Sequence, residues 1–533
     1  MKKKVISILS FALPFFAMSQ TAMDAFQIAQ PGFKGTARFM SMGGAFTALG
    51  GDISTLTQNP AGIGVYRSND VSVTLDLNFQ SNKSTVQGLS MSRNSTQFNC
   101  NNFGYVGAVY TGSDVMPYFN WGASYSRNAS FNRKYKGTIN NLSGSLSNLI
   151  AGYTMADGWS SGDLSSYYDN YNPYQESFAP WLSILGYNSY IINPIGTTTQ
   201  YNGLWQDGTY GSGAFDIVEN GYNDEYSINF GGNFKNSVMW GIGFGITDID
   251  YTSSVYYEED FENARIPDSD GNSTITGAGG FGLDSWKHIN GTGFNVKLGL
   301  ILRPVNELRI GLAVHTPTWY SLKQEGWGAI DYGFSSNISG YTEANNGYTD
   351  YFEWKLRTPW RFMAGIAGVI GSKGIISLDY EYRPMNKMSV QDRDGNEYTT
   401  ITGDVETYYK GVNIVRVGAE YRIDRNWSLR AGASLQSSPV SSSITDGNEY
   451  VYTSGPDDTE MTPSYTTDNT TVNAALGFGY RYNNFYIDAA YVYETRKSTF
   501  HPYTPSNYYG ASPTLADLKT NNNQAVVTIG FKF

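Results

Sequence analysis

The sequence predicts a transmembrane antiparallel β-barrel of about fourteen strands, with an N-terminal hatch (a folded plug) inside its lumen. Three observations predict this fold. Apolar residues recur at every second position in fourteen segments, the connections between segments alternate between short and long, and the composition combines many aromatic residues with few charges. A period of two gives each strand one apolar face for lipid and one polar face for an aqueous interior.

The composition excludes several classes of protein. Aromatic residues make up 15% and charged residues 16% of the 533 residues, whereas a soluble domain has about 25% charged residues. A mean hydropathy of −0.36 counts against a helical membrane protein. The net charge of −11 makes the chain a poor binder of nucleic acid. The single Cys100 excludes an internal disulfide and a cysteine-rich zinc cluster, and we interpret it as incidental.

Each alternating segment has the length of a tilted membrane strand rather than the shorter strand of a soluble sheet. An even number of strands is typical of bacterial barrels. The predicted strands lie at 71–79, 103–109, 119–125, 226–234, 240–246, 294–302, 308–314, 360–370, 375–382, 415–423, 427–435, 472–480, 485–493 and 525–533.

The connections support the barrel independently, because outer-membrane barrels have short turns on one side and long loops on the other. Turn-like sequences occupy 235–237, 303–306, 371–374, 424–426 and 483–484. Long loops are expected at 132–223, 253–286, 317–356, 385–411, 439–469 and 497–521. The last residue, Phe533, continues the lipid-facing register of Phe531, and we expect the barrel insertion machinery to read it; the alternative is an ordinary strand end.

The first residues predict a secretory signal peptide over 1–19. Three lysines at 2–4 precede an apolar run at 5–18, and Ala17-Met18-Ser19 is a small-x-small cleavage site before Gln20. The run is too short for a bilayer-spanning helix, which counts against a membrane anchor. The segment at 20–69 is rich in glycine and alanine and lacks strong alternation, and the barrel is predicted over 70–533.

This segment carries Gly35-Thr36-Ala37-Arg38, then Met42-Gly43-Gly44-Ala45-Phe46, and then the motif Asn59-Pro60-Ala61. It resembles the hatch of the FadL family, outer-membrane transporters for long-chain fatty acids and other hydrophobic compounds. The resemblance implies a fourteen-stranded barrel plugged by residues 20–69, a low-affinity outer groove for ligand, and a kinked third strand that opens the wall sideways. The alternative for the segment is a disordered periplasmic tail.

Charged residues fall on the inner face of the predicted strands. Arg309, Arg416 and Arg430 are candidate ligand-binding residues, because a lumen arginine can hold a carboxylate through two hydrogen bonds. The alternative is that these charges pair with one another. The inner-face set also includes Lys297, Arg422, Arg481, Asp76, Glu420 and Asp488.

The longest connection, 132–223, is unusually apolar. Residues at helical spacing predict two short amphipathic helices, which form either an outer groove that captures ligand or a packed unit on the rim. The candidate ligand-binding residues there are Leu149, Ile150, Trp181, Leu182 and Leu185. In the third strand, 118–131, Gly122 and Asn128 interrupt the pattern, which indicates either a kink or the end of the lipid-facing band.

No enzymatic function, catalytic residue, metal site or cofactor is expected. His288, His315 and His501 lie in separate segments, and haem binding has little support. Asp268-x-Asp270-x-Asn272, Asp392-x-Asp394-x-Asn396 and Asp446-Gly447-Asn448 are interpreted as turns, with calcium binding as the alternative.

The sequence therefore predicts passive uptake of hydrophobic, fatty acid-like molecules by a monomer in the outer membrane. Its expected partners are that ligand, outer-membrane lipid and the insertion machinery, and not nucleic acid. The alternatives are a polar-solute porin, an outer-membrane enzyme such as a protease or lipase, and an adhesin.

Overall fold

The computed structural model describes residues 19–30, 32–166, 171–441, 459–506 and 509–533. The predicted signal peptide, apart from Ser19, and the Asp446-Gly447-Asn448 turn lie outside these residues. Among the residues described, no helix is both long and apolar enough to cross a membrane.

Most of the described chain is strand. In chain order the strands are β1 (Asp70–Val86), β2 (Leu89–Tyr110), β3 (Tyr118–Ser130), β4 (Arg133–Ile139), β5 (Asn193–Ile195), β6 (Thr197–Asn202), β7 (Tyr210–Phe234), β8 (Val238–Pro267), β9 (Thr274–Val305), β10 (Leu308–His315), β11 (Trp319–Phe334), β12 (Ser339–Glu343), β13 (Asp350–Arg357), β14 (Arg361–Ile370), β15 (Gly374–Pro384), β16 (Ser389–Asp392), β17 (Gly411–Arg422), β18 (Trp427–Gln436), β19 (Tyr465–Tyr482), β20 (Phe485–His501) and β21 (Ala516–Lys532).

Helices are short and lie at the N-terminus and in the long connections. They are α1 (Ser19–Ala29), α2 (Ala37–Ser41), α3 (Thr55–Gln58), α4 (Leu146–Ala156), α5 (Ser161–Leu164), α6 (Pro173–Glu176), α7 (Trp181–Asn188) and α8 (Thr399–Tyr408). Single 3₁₀ turns occupy Pro60–Val65, Ala344–Gly347 and Met385–Lys387. The two helices predicted in the longest connection are confirmed as α4 and α7.

The sheet closes on itself, because β1 pairs antiparallel with both β2 and β21. Fourteen strands form the ring, as the sequence predicts, and every predicted strand segment lies in one of them to within one residue at its ends. The ring runs β1, β2, β3, β7, β8, β9, β10, β14, β15, β17, β18, β19, β20, β21. Closure removes the unpaired edge that lipid cannot hydrogen-bond.

The alternation of side chains is also confirmed. On β1 the outward Leu75, Leu77 and Phe79 are exposed, while the inward Thr74 and Asp76 are buried. Equivalent exposed apolar residues encircle the barrel and form a band that we call the lipid belt; its members on other strands include Phe103, Ile228, Ile246, Leu298, Ile366, Val417, Leu429, Leu476 and Ile529.

The prediction of long loops at 253–286 and 317–356 is wrong, because most of these residues form β-strands that extend the barrel wall. β8 has 30 residues and β9 has 32, and 30 residues extend about 100 Å at ~3.3 Å each, far beyond a belt of about 25 Å. Above the belt the alternation inverts. Ile249, Tyr251 and Val255 point inward and are buried, while the outward positions carry polar residues such as Asp250. Water rather than lipid surrounds this extension, so the apolar face turns to the core.

The turn interpretation of the two described Asp-x-Asp-x-Asn segments is confirmed. Asp268 accepts hydrogen bonds from the backbone of Asp270 and Asn272 at 3.2 and 3.0 Å. Asp392 accepts them from Gly395 and Asn396 at 2.7 and 2.8 Å. Within the described residues, no group of three or more histidine, cysteine or acidic residues is arranged to hold a metal ion.

Candidate functional site

The N-terminal segment lies inside the barrel and contacts the wall through glycines. At these wall positions a Cβ would approach hatch atoms to between 1.9 and 2.4 Å, closer than any side chain tolerates. Glycine therefore lets hatch backbone and wall backbone touch. The contacts are Gly241 with Pro60, Gly299 with Asn59, Gly311 with Thr47, Gly418 with Met42, and Gly432 with Met42 and Gly43.

These contacts between the hatch and the wall glycines are called the seat. The motif Asn59-Pro60-Ala61 belongs to the seat and is fully buried. The Asn59 side chain caps the 3₁₀ turn Pro60–Val65 by accepting a hydrogen bond from the Ala61 N–H at 3.1 Å. Its Nδ2 donates to the Thr47 carbonyl at 2.6 Å, which ties two parts of the hatch together. Proline at the first position of the turn loses no hydrogen bond. The motif thus organises the hatch, and any part it plays in ligand passage stays a prediction.

Helix α1 fills an apolar space above the seat, which we call the upper chamber. Phe26 stacks on Tyr409 with ring centroids 4.5 Å apart, and Met23 and Ile28 are also buried there. The helix presents an apolar surface of the kind a hydrophobic ligand has. The wall of the chamber includes Ile249, Tyr251, Ile289, Tyr320, Leu322, Trp354, Leu356, Ile401 and Val405.

One buried ion pair fixes α1 in the upper chamber. Lys287 on β9 donates to both carboxylate oxygens of Asp24 at 2.9 Å, and Glu460 lies 3.6 Å from the same ammonium group. Sequence reasoning missed these residues. A lysine among buried inward positions of β9 is the signal that identifies the site, but Lys287 lies between the predicted loop 253–286 and the predicted strand 294–302, so the sequence assigned it to no strand face.

The candidate arginines lie on the inner face, and each already has a partner. Arg309 donates to the Leu49 carbonyl of the hatch at 2.8 Å. Arg416 pairs with Glu381 at 2.6 Å. Arg430 pairs with Glu420 and with Asp488, both at 2.6 Å. Their inner position agrees with the sequence, and ligand binding by them stays a prediction.

The other inner-face charges are paired in the same way where they are buried. Lys297 pairs with Glu225, and Asp76 pairs with Lys34 of the hatch. Arg481 lies against the ring of Tyr486, and Arg422 is exposed at the end of β17. Glu381 alone faces three guanidinium groups, those of Arg361, Arg383 and Arg416, a cluster that the sequence did not reveal.

The candidate residues of the longest connection lie in a packed unit over the mouth, formed by the described residues of 140–209 and called the cap. Leu149, Ile150, Trp181, Leu182 and Leu185 are all at most 4% exposed. They pack with barrel residues such as Tyr257, Phe261 and Phe500 in one apolar cluster. In this state they line no open groove, and capture of ligand by them stays a prediction.

The base of the cap rests on one buried carboxyl group above the lipid belt. Glu259 accepts hydrogen bonds from Ser145 Oγ at 2.6 Å, the Leu146 N–H at 3.1 Å and the Tyr257 hydroxyl at 2.7 Å. Burial raises the pKa of Glu259 to about 7, although the three hydrogen bonds oppose this rise. Protonation of one residue is therefore coupled to the start of α4.

The wall has an interruption between β2 and β3, which we call the seam. The two strands pair from Tyr110 and Tyr118 up to Asn102 and Ser126, and the pairing stops there. Above this point β2 pairs with β1, and β3 and β4 pair with β7. The β3–β7 register shifts between Arg127 and Ala129, so Asn128 marks an irregularity of the strand, where its carbonyl accepts a hydrogen bond from the hatch residue Gly32 at 2.7 Å.

Side chains rather than a backbone ladder bridge the seam. Arg127 donates to Asn99 at 3.0 Å, and Asn132 donates to Gln97 at 3.4 Å. The seam begins opposite Leu75 and Leu77, within the lipid belt. The β2–β3 ladder therefore ends at the level of the lipid belt.

No family model matches the chain, and no curated protein matches it. Solved structures do. The crystal structure of a Pseudomonas aeruginosa FadL homologue matches with a TM-score of 0.53 and 12% identity, covering 94% of this chain and 99% of that one. The chain has the FadL-type fold.

Two further solved structures match less well. The P. putida toluene transporter TodX has a TM-score of 0.46 at 13% identity, covering 94% of this chain and 99% of that chain. The Ralstonia pickettii toluene transporter TbuX has a TM-score of 0.45 at 13% identity, with the same coverage. With its closed ring, lipid belt and internal hatch, this FadL-type chain is a multi-pass outer-membrane β-barrel.

Proposed function

We propose that this chain is an outer-membrane channel for passive uptake of hydrophobic small molecules such as long-chain fatty acids. The observation that carries the proposal is the upper chamber, an apolar space in the lumen filled by a helix of the chain itself. Ligand is captured at the cap, replaces α1 in the chamber as the hatch rearranges, and leaves sideways through the seam. No reaction and no energy source is needed.

The upper chamber supports the binding step. A protein interior has little empty apolar space, so a ligand enters only if something leaves. Helix α1 contacts the chamber through apolar side chains and one ion pair, Lys287–Asp24. Exchange of α1 for a ligand replaces one apolar surface by another. The free-energy difference between the chamber filled by α1 and the chamber filled by ligand therefore stays small.

The seam supports the exit step. Opening it breaks side-chain hydrogen bonds of about 1 kcal/mol each, whereas opening an interface such as β18–β19 breaks a continuous backbone ladder. Its level in the lipid belt lets an apolar molecule enter the membrane without crossing water. The filled lumen counts against a polar-solute porin, which needs a continuous aqueous path.

A cross-link across the seam tests the exit step. In a Cys100→Ser background, Gln97→Cys and Asn132→Cys are joined by a short bifunctional thiol reagent that thiols can cleave. We expect the cross-link to lower uptake of a fluorescent long-chain fatty acid into proteoliposomes about tenfold, and reduction to restore it.

The matched control is Ser434→Cys with Asn473→Cys in the same background. These inward residues are direct partners on β18 and β19, where the ladder is continuous. Cross-linking them should leave uptake unchanged. Full uptake with the seam cross-linked would show that ligand leaves by another route.

A further inference from the structure

A polar cavity lies between the hatch and the seam, and we call it the amide cavity. The space open to the centres of water-sized molecules is about 80 Å³, several times the ~10–15 Å³ that one water requires. Gln27 and Gln30 line it from the hatch side. Six more carboxamides line it from the wall: Asn78, Gln80, Gln97, Asn132, Asn522 and Gln524.

Two of these, Gln97 and Asn132, are the residues that bridge the seam. A molecule that moves from the upper chamber to the seam therefore passes the amide cavity. Such a concentration of carboxamides is not needed to release a hydrocarbon, because an apolar surface leaves buried amides without hydrogen-bond partners at a cost of about 1–3 kcal/mol each.

The charged groups of the cavity compensate one another. Lys34 pairs with Asp76 at 2.5 Å, Arg133 with Glu219 at 2.5 Å, and Arg496 with Asp468 at 3.4 Å. One further carboxylate, that of Glu494, accepts a hydrogen bond from Asn522 at 2.8 Å. Each of the three cations that line the cavity thus already has a carboxylate partner, and Glu494 pairs with no cation within 4 Å among the described residues, so the cavity offers no free cation to an anionic head group.

The open hydrogen-bonding capacity of the cavity is of both kinds. Among the described residues that line it, Asn78 Oδ1 has no donor, whereas Arg133 Nη1 and Arg496 Nε have no acceptor although both guanidinium groups are already paired with carboxylates. The Nδ2 of Asn78 already donates to Asn522 Oδ1 at 3.4 Å, whereas its Oδ1 accepts no hydrogen bond. A hydroxyl or an amide group satisfies both, because each donates and accepts.

We propose that the amphiphiles which this channel carries have an uncharged head group bearing hydroxyl or amide groups, held in the amide cavity while the apolar part occupies the upper chamber. This inference rests on the proposed function and narrows its substrate class. The geometry favours a compact polyol or amide head over a carboxylate or a plain hydrocarbon. A free carboxylate binds in the cavity more weakly because each cation there already pairs with a carboxylate of the chain.

Three ligands with the same ten-carbon chain test the inference on the full-length protein in nanodiscs: 1-decanoylglycerol, decanoate at pH 8, and decane. We expect 1-decanoylglycerol to bind about tenfold more tightly than either of the others. Asn78→Leu and Asn522→Leu should remove this preference without weakening decane. The control is Asn229→Leu, which removes a buried inward carboxamide of β7 outside the cavity.

The comparison of ligands on the unaltered protein requires no variant to fold. Equal or tighter binding of decanoate overturns the head-group inference and leaves the proposed function intact. The same holds if both cavity variants weaken all three ligands alike. If none of the three binds and none enters proteoliposomes, the proposed function itself fails.

Discussion

Substitution of Gly299 by valine tests whether close backbone contact seats the hatch. A Cβ at Gly299 would lie 1.9 Å from Asn59 Oδ1, where ordinary contact begins near 3.4 Å. Asn59 must therefore move by about 1.5 Å. That movement breaks its hydrogen bonds with Thr47 and Ala61, about 1 kcal/mol each, and overpacking adds about 1–3 kcal/mol.

The total of about 4 kcal/mol lowers the equilibrium constant for docking of the hatch by a factor of about a thousand. We expect Gly299→Val to raise the conductance of single channels in planar bilayers and to admit hydrophilic antibiotics into cells. The control is Gly368→Val on β14, because a Cβ there meets nothing within 4 Å. Retention of the slow electrophoretic mobility of a folded barrel shows that the ring has closed.

If folded Gly299→Val conducts like the wild type, glycine contact does not seat the hatch and the account of the wall glycines is wrong. If Gly368→Val leaks equally, the effect belongs to the barrel and not to the hatch.

Two further substitutions separate the chamber from the cap. Phe26→Ala removes the ring stacked on Tyr409, which weakens docking of α1 by about 3–5 kcal/mol, and it should raise the affinity for ligand in a binding titration because α1 competes less; unchanged affinity would contradict competition. Glu259→Gln should abolish a pH dependence of cap stability. The pKa of Glu259 is raised to about 7 from 4.5, so its protonated form stabilises the cap fully below pH 4.5, and about 3 kcal/mol is lost as the pH rises through 7. Limited proteolysis of the cap from pH 4 to 8 measures this loss. If the cleavage rate changed equally with pH in the wild type and in Glu259→Gln, the prediction would be contradicted.

The sequence predicted the ring well because lipid imposes a strict rule on it. Each strand needs a continuous outward apolar face, and residues such as Leu75 and Leu77 report that face directly. The strands above the belt were predicted as loops because their apolar residues point inward there instead of outward. After Ile246, β8 places its apolar residues inward, and no lipid-facing pattern remains to indicate a strand.

The site was less predictable for a different reason. Side chains that meet across the lumen come from distant parts of the chain, so Asp24 with Lys287, or Arg416 with Glu381, have no shared local pattern. The hatch motif was found because its residues are consecutive. The amide cavity assembles from β1, β2, β20, β21 and α1, and a lone asparagine on any strand carries no signal.

The hatch contacts the barrel at separate places, which is compatible with both the proposed uptake and a closed barrier. Helix α1 belongs to the upper chamber, whereas the motif Asn59-Pro60-Ala61 contacts the wall glycines in other apolar clusters. A ligand that displaces α1 need not move the motif, because the two share no apolar cluster. In the proposed uptake, the contacts of the motif with the wall glycines keep the axial path shut while ligand leaves through the seam. On this reasoning Phe26→Ala changes ligand affinity without leakage, and Gly299→Val causes leakage without any direct effect on the chamber.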